Sequence, residues 1–164
     1  MSLNTISSKN LRYTQRNDIK LETYEKGNIN IMLDLPKLKL PFGIENNYNK
    51  FELKFELDDN CKYVQPLIRK IEEDLAEKLD LNKEHLRSNI RESDKYKDLL
   101  IVKVPNYRNK FLAKIESKNE NIYLPTFYDI QENMYASATI HIKKYWVLPE
   151  KYGLLIELKK LIIL

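Results

Sequence analysis

The sequence predicts a mainly β domain: an antiparallel barrel or sandwich of five or six strands with one inserted α-helix. Three observations carry this. Several segments alternate apolar and polar residues with period two, one segment near the middle repeats its apolar residues at three- and four-residue steps, and short Pro-, Gly- or Asn-containing stretches separate them.

Residues 1–26 are polar and weakly patterned and read as an N-terminal arm or edge element, which leaves 27–164 as a single domain. From Gly27 to Asp34, Ile29, Ile31 and Leu33 alternate with Asn28, Asn30 and Asp34, the mark of a half-buried strand. Two prolines and a glycine make 35–43 a shaped connection. The segment 50–57 is the clearest strand, with Phe51, Leu53, Phe55 and Leu57 inward and Glu52, Lys54 and Glu56 outward.

A helix is predicted over about 63–79. Asp58, Asp59 and Asn60 offer caps, Pro66 suits a first turn, and Leu67, Ile68, Ile71, Leu75 and Leu79 form one stripe. A second short helix is expected about 83–91, with Leu86 and Ile90 inward. Segments 99–104 and 110–116 flank the polar stretch 105–109 and read as a hairpin. A β-prone piece follows at 123–129, then a long strand over 134–146, a turn at 148–153 and a last strand over 154–164. Strands, one helix, then more strands is the order of a small closed sheet. The five-stranded OB barrel is the commonest such solution.

The composition narrows the chemistry. The chain has 164 residues, 43% of them hydrophobic, enough for one core. No apolar run approaches the roughly 18 residues of a membrane span, and the N-terminus lacks a signal-peptide core. The single Cys61 excludes an internal disulfide, and its place at a helix entrance reads as a buried thiol. His85 and His141 lie in different elements without ligand spacing, so no metal or cofactor is expected. The three glycines are isolated, which rules out a phosphate loop, and no nucleophile elbow occurs. The expectation is a protein that is not an enzyme.

The net charge is +4, yet 22 of the 28 cations are lysine. Lys, Asn, Ile and Tyr fill 66 positions, so A/T-rich coding alone could produce this basicity. Its distribution says more. From Lys95 to Lys118 there are seven cations against Asp98 and Glu116, whereas 58–94 holds seven cations against ten carboxylates. One side should be basic and the helical side mildly acidic.

Aromatic residues accompany the basic strands: Tyr107 beside Arg108 and Lys110, the group Tyr123, Phe127 and Tyr128, and Tyr145 and Trp146 beside His141 and Lys143. Lysine and arginine follow phosphates and release counterions, while rings stack on unpaired bases. Candidate contacts to nucleic acid are therefore Lys103, Tyr107, Arg108, Lys110, Lys114, His141, Lys143, Tyr145 and Trp146, with Lys37, Lys39 and Lys54 in a second tier.

Two stretches carry a resemblance. One is Leu35-Pro-Lys-Leu-Lys-Leu-Pro-Phe-Gly-Ile44 ahead of the strand Phe51-Glu-Leu-Lys-Phe-Glu-Leu57. The other is Leu124-Pro-Thr-Phe-Tyr-Asp129, leading to a closing hairpin that ends in 145–163. Over about 30–164 the chain resembles the podophage-type single-stranded DNA-binding proteins and their relatives in nucleocytoplasmic large DNA viruses. The resemblance implies an OB fold and sequence-independent binding of single-stranded DNA. It further implies a role in viral replication and recombination, in a replication compartment of the host cytoplasm or nucleus. Replication proteins and a second copy of the chain are the implied protein partners. Such proteins usually end in an acidic tail, whereas this sequence ends at Leu164 inside a predicted strand. Two rivals belong to other classes: a viral structural or protein-interaction β-barrel that binds no nucleic acid, and an enzyme of nucleotide metabolism.

Overall fold

The computed structural model describes residues 11–13, 27–95 and 97–164; of 11–13 only the backbone is considered. The expected N-terminal arm, 1–26, lies outside the described residues except for that short piece.

Twelve strands, one α-helix and three 3₁₀ turns make up the described chain. The strands are β1 (Leu11–Tyr13), β2 (Asn28–Leu40), β3 (Glu45–Asn47), β4 (Lys50–Glu56), β5 (Leu86–Arg87), β6 (Ile90–Arg91), β7 (Leu99–Val104), β8 (Asn106–Tyr107), β9 (Lys110–Phe111), β10 (Lys114–Ser117), β11 (Met134–Leu148) and β12 (Lys151–Ile163). The helix α1 spans Val64–Lys78. The chain is mainly β, as expected, but its sheet is mixed and open. The path runs β1-β2-β11-β12-β7-β4-β3, and β8 and β9 form a separate ribbon.

The parallel pairings are concentrated on β12. One edge of that strand pairs antiparallel with β11 along its length. The other edge is shared end to end by three short strands running parallel to it: β5 at Tyr152–Gly153, β7 at Glu157 and β10 at Lys160–Ile163. The expected hairpin between 99–104 and 110–116 is therefore not formed, because β10 leaves β7 and pairs with β12. The second helix expected about 83–91 is also replaced. Asn82 caps a single 3₁₀ turn at Lys83–His85, and the chain then extends into β5 and β6. The sheet curls until backbones of β2 and β4 approach within 8 Å, with no ladder between them.

Bulges shape the three longest strands. β2 does not stop at Asp34; it runs through Pro36 to Leu40. Leu35 and Leu38 oppose Ala138 and Ala136, so β2 carries one extra residue there. A bulge leaves an N–H unpaired, and Pro36 has none to lose. A second irregularity in β2 falls at Asn30, which adopts φ +66°. Register shifts on the β11–β12 ladder set Lys143 and Lys159 as extra residues.

The core is one cluster. Ile29, Ile31, Leu33, Ile140, Ile142, Ile156 and Leu158 come from the central strands, and Leu53, Phe55, Leu100 and Val102 from β4 and β7. Each such side chain contributes about 1.5–3 kcal/mol on full burial. The helix adds Leu67, Ile68, Ile71 and Leu75 of the predicted stripe, together with Val64; Leu79, the stripe's last residue, is exposed just past the helix end. Gly43 ends the Pro41-Phe-Gly turn at φ +64°, where a β-carbon would meet Ile130 O at 2.7 Å. Glycine is required there by both backbone conformation and space.

Candidate nucleic-acid interface

Residues that alternate with the core positions form the opposite face of the sheet. One register row crosses six strands: Met32, His141, Glu157, Lys103, Glu52 and Glu45. Two sequence-predicted residues, Lys103 and His141, lie in it. Lys143 joins through an ion pair from its Nζ to Glu157 Oε1 at 3.1 Å. Lys103 is exposed and makes no ion pair among the described residues, whereas Lys54 is only 8% exposed. Its ammonium lies 2.9 Å from Glu45 and 3.5 Å from Glu52, and above the Phe42 ring. Cross-strand carboxylates thus offset much of the lysine charge on this face.

His141 is buried beside these charges. Asn30 Oδ1 accepts from its Nε2, which leaves Nδ1 as a bare acceptor with no partner. Desolvation, helped by Lys159 and Lys143 and opposed by Glu157, holds its pKa below the ordinary 6.5. His141 is a neutral, packed side chain, chemically unlike a phosphate-binding cation.

A more exposed constellation lies on the β8–β9 ribbon. Tyr107 and Lys110 pair across a two-residue turn in which Arg108 and Asn109 have φ +49° and +64°. Two successive positive φ angles define the type I′ turn that suits a hairpin's twist. Tyr107 is 62% exposed, and the Arg108 guanidinium carbon stands 5.2 Å from its ring centroid. Arg108 and Lys110 are exposed and carry no ion pair among the described residues.

Phe111 pins this ribbon to the domain. Its ring lies 4.9 Å from Phe51 and 4.8 Å from Phe127, both buried, and 5.5 Å from Tyr128. Tyr128 is 65% exposed and also touches Phe51 edge-on. Phe51 belongs to a second hairpin with the same turn geometry, where Tyr48 and Asn49 have φ +53° and +64° and Tyr48 projects into solvent. The Phe51–Phe111 contact thus links two tyrosine-bearing hairpins. A cleft of about 280 Å³ passes from Lys50 and Phe51 to Lys103. Neither Tyr48 nor Tyr128 is among the predicted contacts, although Tyr128 belongs to the aromatic group read at 123–129. Tyr128 depends on a tertiary aromatic contact, but the Asn47-Tyr-Asn49 stretch is a turn signal legible in the sequence.

The other predicted residues lie elsewhere. Lys37 stands 5.1 Å from the Tyr135 ring, and Lys39 pairs with Tyr135 across β2 and β11. Lys114 lies opposite Lys160 on β10 and β12. The alternation of β11 places Tyr145 outward with His141 and Lys143, but the Lys143 bulge reverses the phase. Tyr145 pairs with buried Leu154 and packs against the core. Trp146 is half-buried against Gly153. Among the described residues no group of three or more His, Cys, Asp or Glu could hold a metal, and no helix is long and apolar enough to cross a membrane. No protein-family model matches the sequence, and no curated protein matches it.

Proposed function

We propose that this protein binds single-stranded nucleic acid without sequence preference. In this reading the curled sheet is an OB-like scaffold and the two type I′ hairpins carry the interface. The observation behind the proposal is the β8–β9 ribbon, which presents exposed Tyr107 with Arg108 over its ring and Lys110 across the turn. Tyr128 and Tyr48 extend the aromatic surface, and Lys50 and Lys103 stand on either side of Glu52 along the adjoining cleft. Each stacked base would contribute about 1–3 kcal/mol, and each neutralised phosphate would release counterion. The resemblance to podophage-type single-stranded DNA-binding proteins supports DNA as the polymer and viral replication as the setting, with replication proteins as partners.

Fluorescence anisotropy with labelled oligo-dT and a duplex of equal length, across a salt series, tests the proposal. Preference for the single strand with steep salt dependence is the expected result. Equal binding of both, or of neither, overturns it.

Exposed Leu112 and Leu124, on the segment that carries the tyrosines, favour one alternative: a protein-interaction surface. That alternative predicts self-association in light scattering and no oligonucleotide shift.

A further inference from the structure

β7 and β12 meet at one pair only, Lys103 opposite Glu157, and β5 takes the same edge of β12 at Tyr152–Gly153. Between these pairings, residues 154–156 have no strand on that edge among the described residues. The gap is part of the cleft of about 280 Å³ that passes from Lys50 to Lys103. Asn89 also lines it and is fastened twice to β7. The Ile101 N–H donates to the Asn89 carbonyl at 2.8 Å, and Asn89 Nδ2 donates to Ile101 O at 3.0 Å.

The lining divides by chemistry. Ile101 and Leu155 are half-buried, whereas their chain neighbours Leu100, Val102, Leu154 and Ile156 are buried, so alternation turns these two onto the outer face with Lys103 and Glu157. They form an aliphatic strip among charges. Lys50 and Lys103 are exposed and make no ion pair among the described residues, whereas Glu52 between them lies 3.5 Å from Lys54 Nζ. The Asn89 amide has a second N–H and an acceptor oxygen beyond its bond to Ile101. An occupant with a flat apolar body, a polar edge and an adjoining anion answers all three features, which describes a nucleobase and its phosphate. The volume lies below the roughly 300–1,000 Å³ of pockets for drug-sized ligands and suits a single base.

We propose that this cleft takes one unstacked base of the bound single strand, seated on Ile101 and Leu155 with a flanking phosphate on Lys103 or Lys50. The proposal rests on the nucleic-acid reading above and adds a second kind of base contact to it: insertion between β7 and β12 instead of stacking on an exposed ring. An amide presents both donor and acceptor, as base edges do, so the cleft accepts any of the four bases and binding stays indifferent to sequence. A base inside a duplex would first have to leave its stack and its partner, which makes the cleft selective for single strands.

NMR of the methyl-labelled full chain, titrated at low salt with oligo-dA and with an abasic oligomer of equal length, tests this, while fluorescence anisotropy follows binding of each. The Ile101 and Leu155 methyls should move upfield with oligo-dA, through the ring current of the inserted base, and show nuclear Overhauser effects to base protons. The abasic oligomer, which offers phosphates alone, should leave them in place. Leu155→Ser, at a half-buried position on the outer face, should weaken oligo-dA about fivefold and the abasic oligomer by less than about twofold. Oligo-dA that binds with both methyls unmoved overturns the base pocket and leaves the hairpin interface standing. No binding of oligo-dA overturns both. Equal weakening of the two oligomers in L155S also overturns the pocket, and the wild-type titration decides should that variant not fold.

Discussion

Gly153 lies directly beneath Trp146: a β-carbon at Gly153 would stand 2.9 Å from the indole Cζ2 and 2.6 Å from the carbonyl oxygen of Arg87. The two residues pair across β11 and β12, and Arg87 belongs to β5 on the far side of β12. Three strands therefore meet at a point that only a hydrogen side chain permits. The backbone oxygen cannot rotate aside as a side chain could. Gly153→Ala should cost about 1–3 kcal/mol through overpacking. Urea unfolding followed by far-UV circular dichroism measures it, and unchanged stability would mean that β5 moves away freely. Because one face of the indole is covered by Gly153, Trp146 can offer a base at most its other face.

Asn30 serves both as a backbone element and as a side-chain partner. Its φ of +66° lies in the left-handed region, and its Oδ1 accepts from His141. Asn30→Gly keeps the conformation and removes the acceptor, whereas Asn30→Ala removes the acceptor and adds strain. Both should destabilise, by about 1–3 kcal/mol for the lost acceptor, with Ala the worse of the two. Equal losses in chemical denaturation would show that the backbone conformation contributes nothing.

The same histidine gives a pH signature. Its folded-state pKa lies below the unfolded 6.5, so the unfolded chain binds its proton more readily. Stability from this group is fully present above pH 6.5 and is lost as pH falls from there toward the depressed value. His141→Gln should flatten the stability profile over that window. A proton-NMR titration with its midpoint at or above 6.5 would contradict this.

Much of this architecture was legible wherever burial alone decides conformation. The predicted helix over 63–79 is observed at Val64–Lys78, and the strand over 50–57 at Lys50–Glu56. Their apolar periods match the geometry of the elements they form. The parallel sharing of β12 by β5, β7 and β10 was not legible, because pairing between distant segments leaves no local period. Bulges defeated the alternation rule most directly. One extra residue at Lys143 turned Tyr145 inward, and Lys54, polar and outward by alternation, is enclosed by Glu45 from the neighbouring strand and Glu52 from its own. Of the candidate interface, Tyr107, Arg108 and Lys110 follow from a turn read in the sequence. Tyr128 joins only through Phe111 and Phe51, a relation that needs the fold.

Glu72 predicts the opposite pH trend. Desolvation raises its pKa above 4.5, against the Ser88 and Arg69 contacts that lower it. The folded state thus holds this proton more tightly than the unfolded chain, so stability is lost as pH rises from about 4.5 through the raised value. Glu72→Gln carries no such charge and should remove that decline. Denaturant midpoints of wild type and E72Q should diverge with rising pH, in favour of the variant. Parallel midpoints across that window would show that Glu72 meets no net burial penalty.

Charge reversal on the β8–β9 ribbon separates function from fold. Arg108 and Lys110 are exposed, and neither makes an ion pair among the described residues, so Arg108→Glu/Lys110→Glu should leave the unfolding midpoint nearly unchanged. The ribbon itself is held by Phe111 against Phe51 and Phe127, which the double variant does not touch. If each cation neutralises one phosphate, the slope of log affinity against log salt should become shallower by about 1.4, at roughly 0.7 per phosphate for a single strand. Affinity for oligo-dT should fall at least tenfold in low salt and converge toward wild type as salt rises. Tyr107→Leu should instead lower affinity by a similar amount at every salt concentration, because stacking releases no ions. A charge-reversed ribbon with unaltered slope and affinity would place the nucleic-acid surface elsewhere on the molecule.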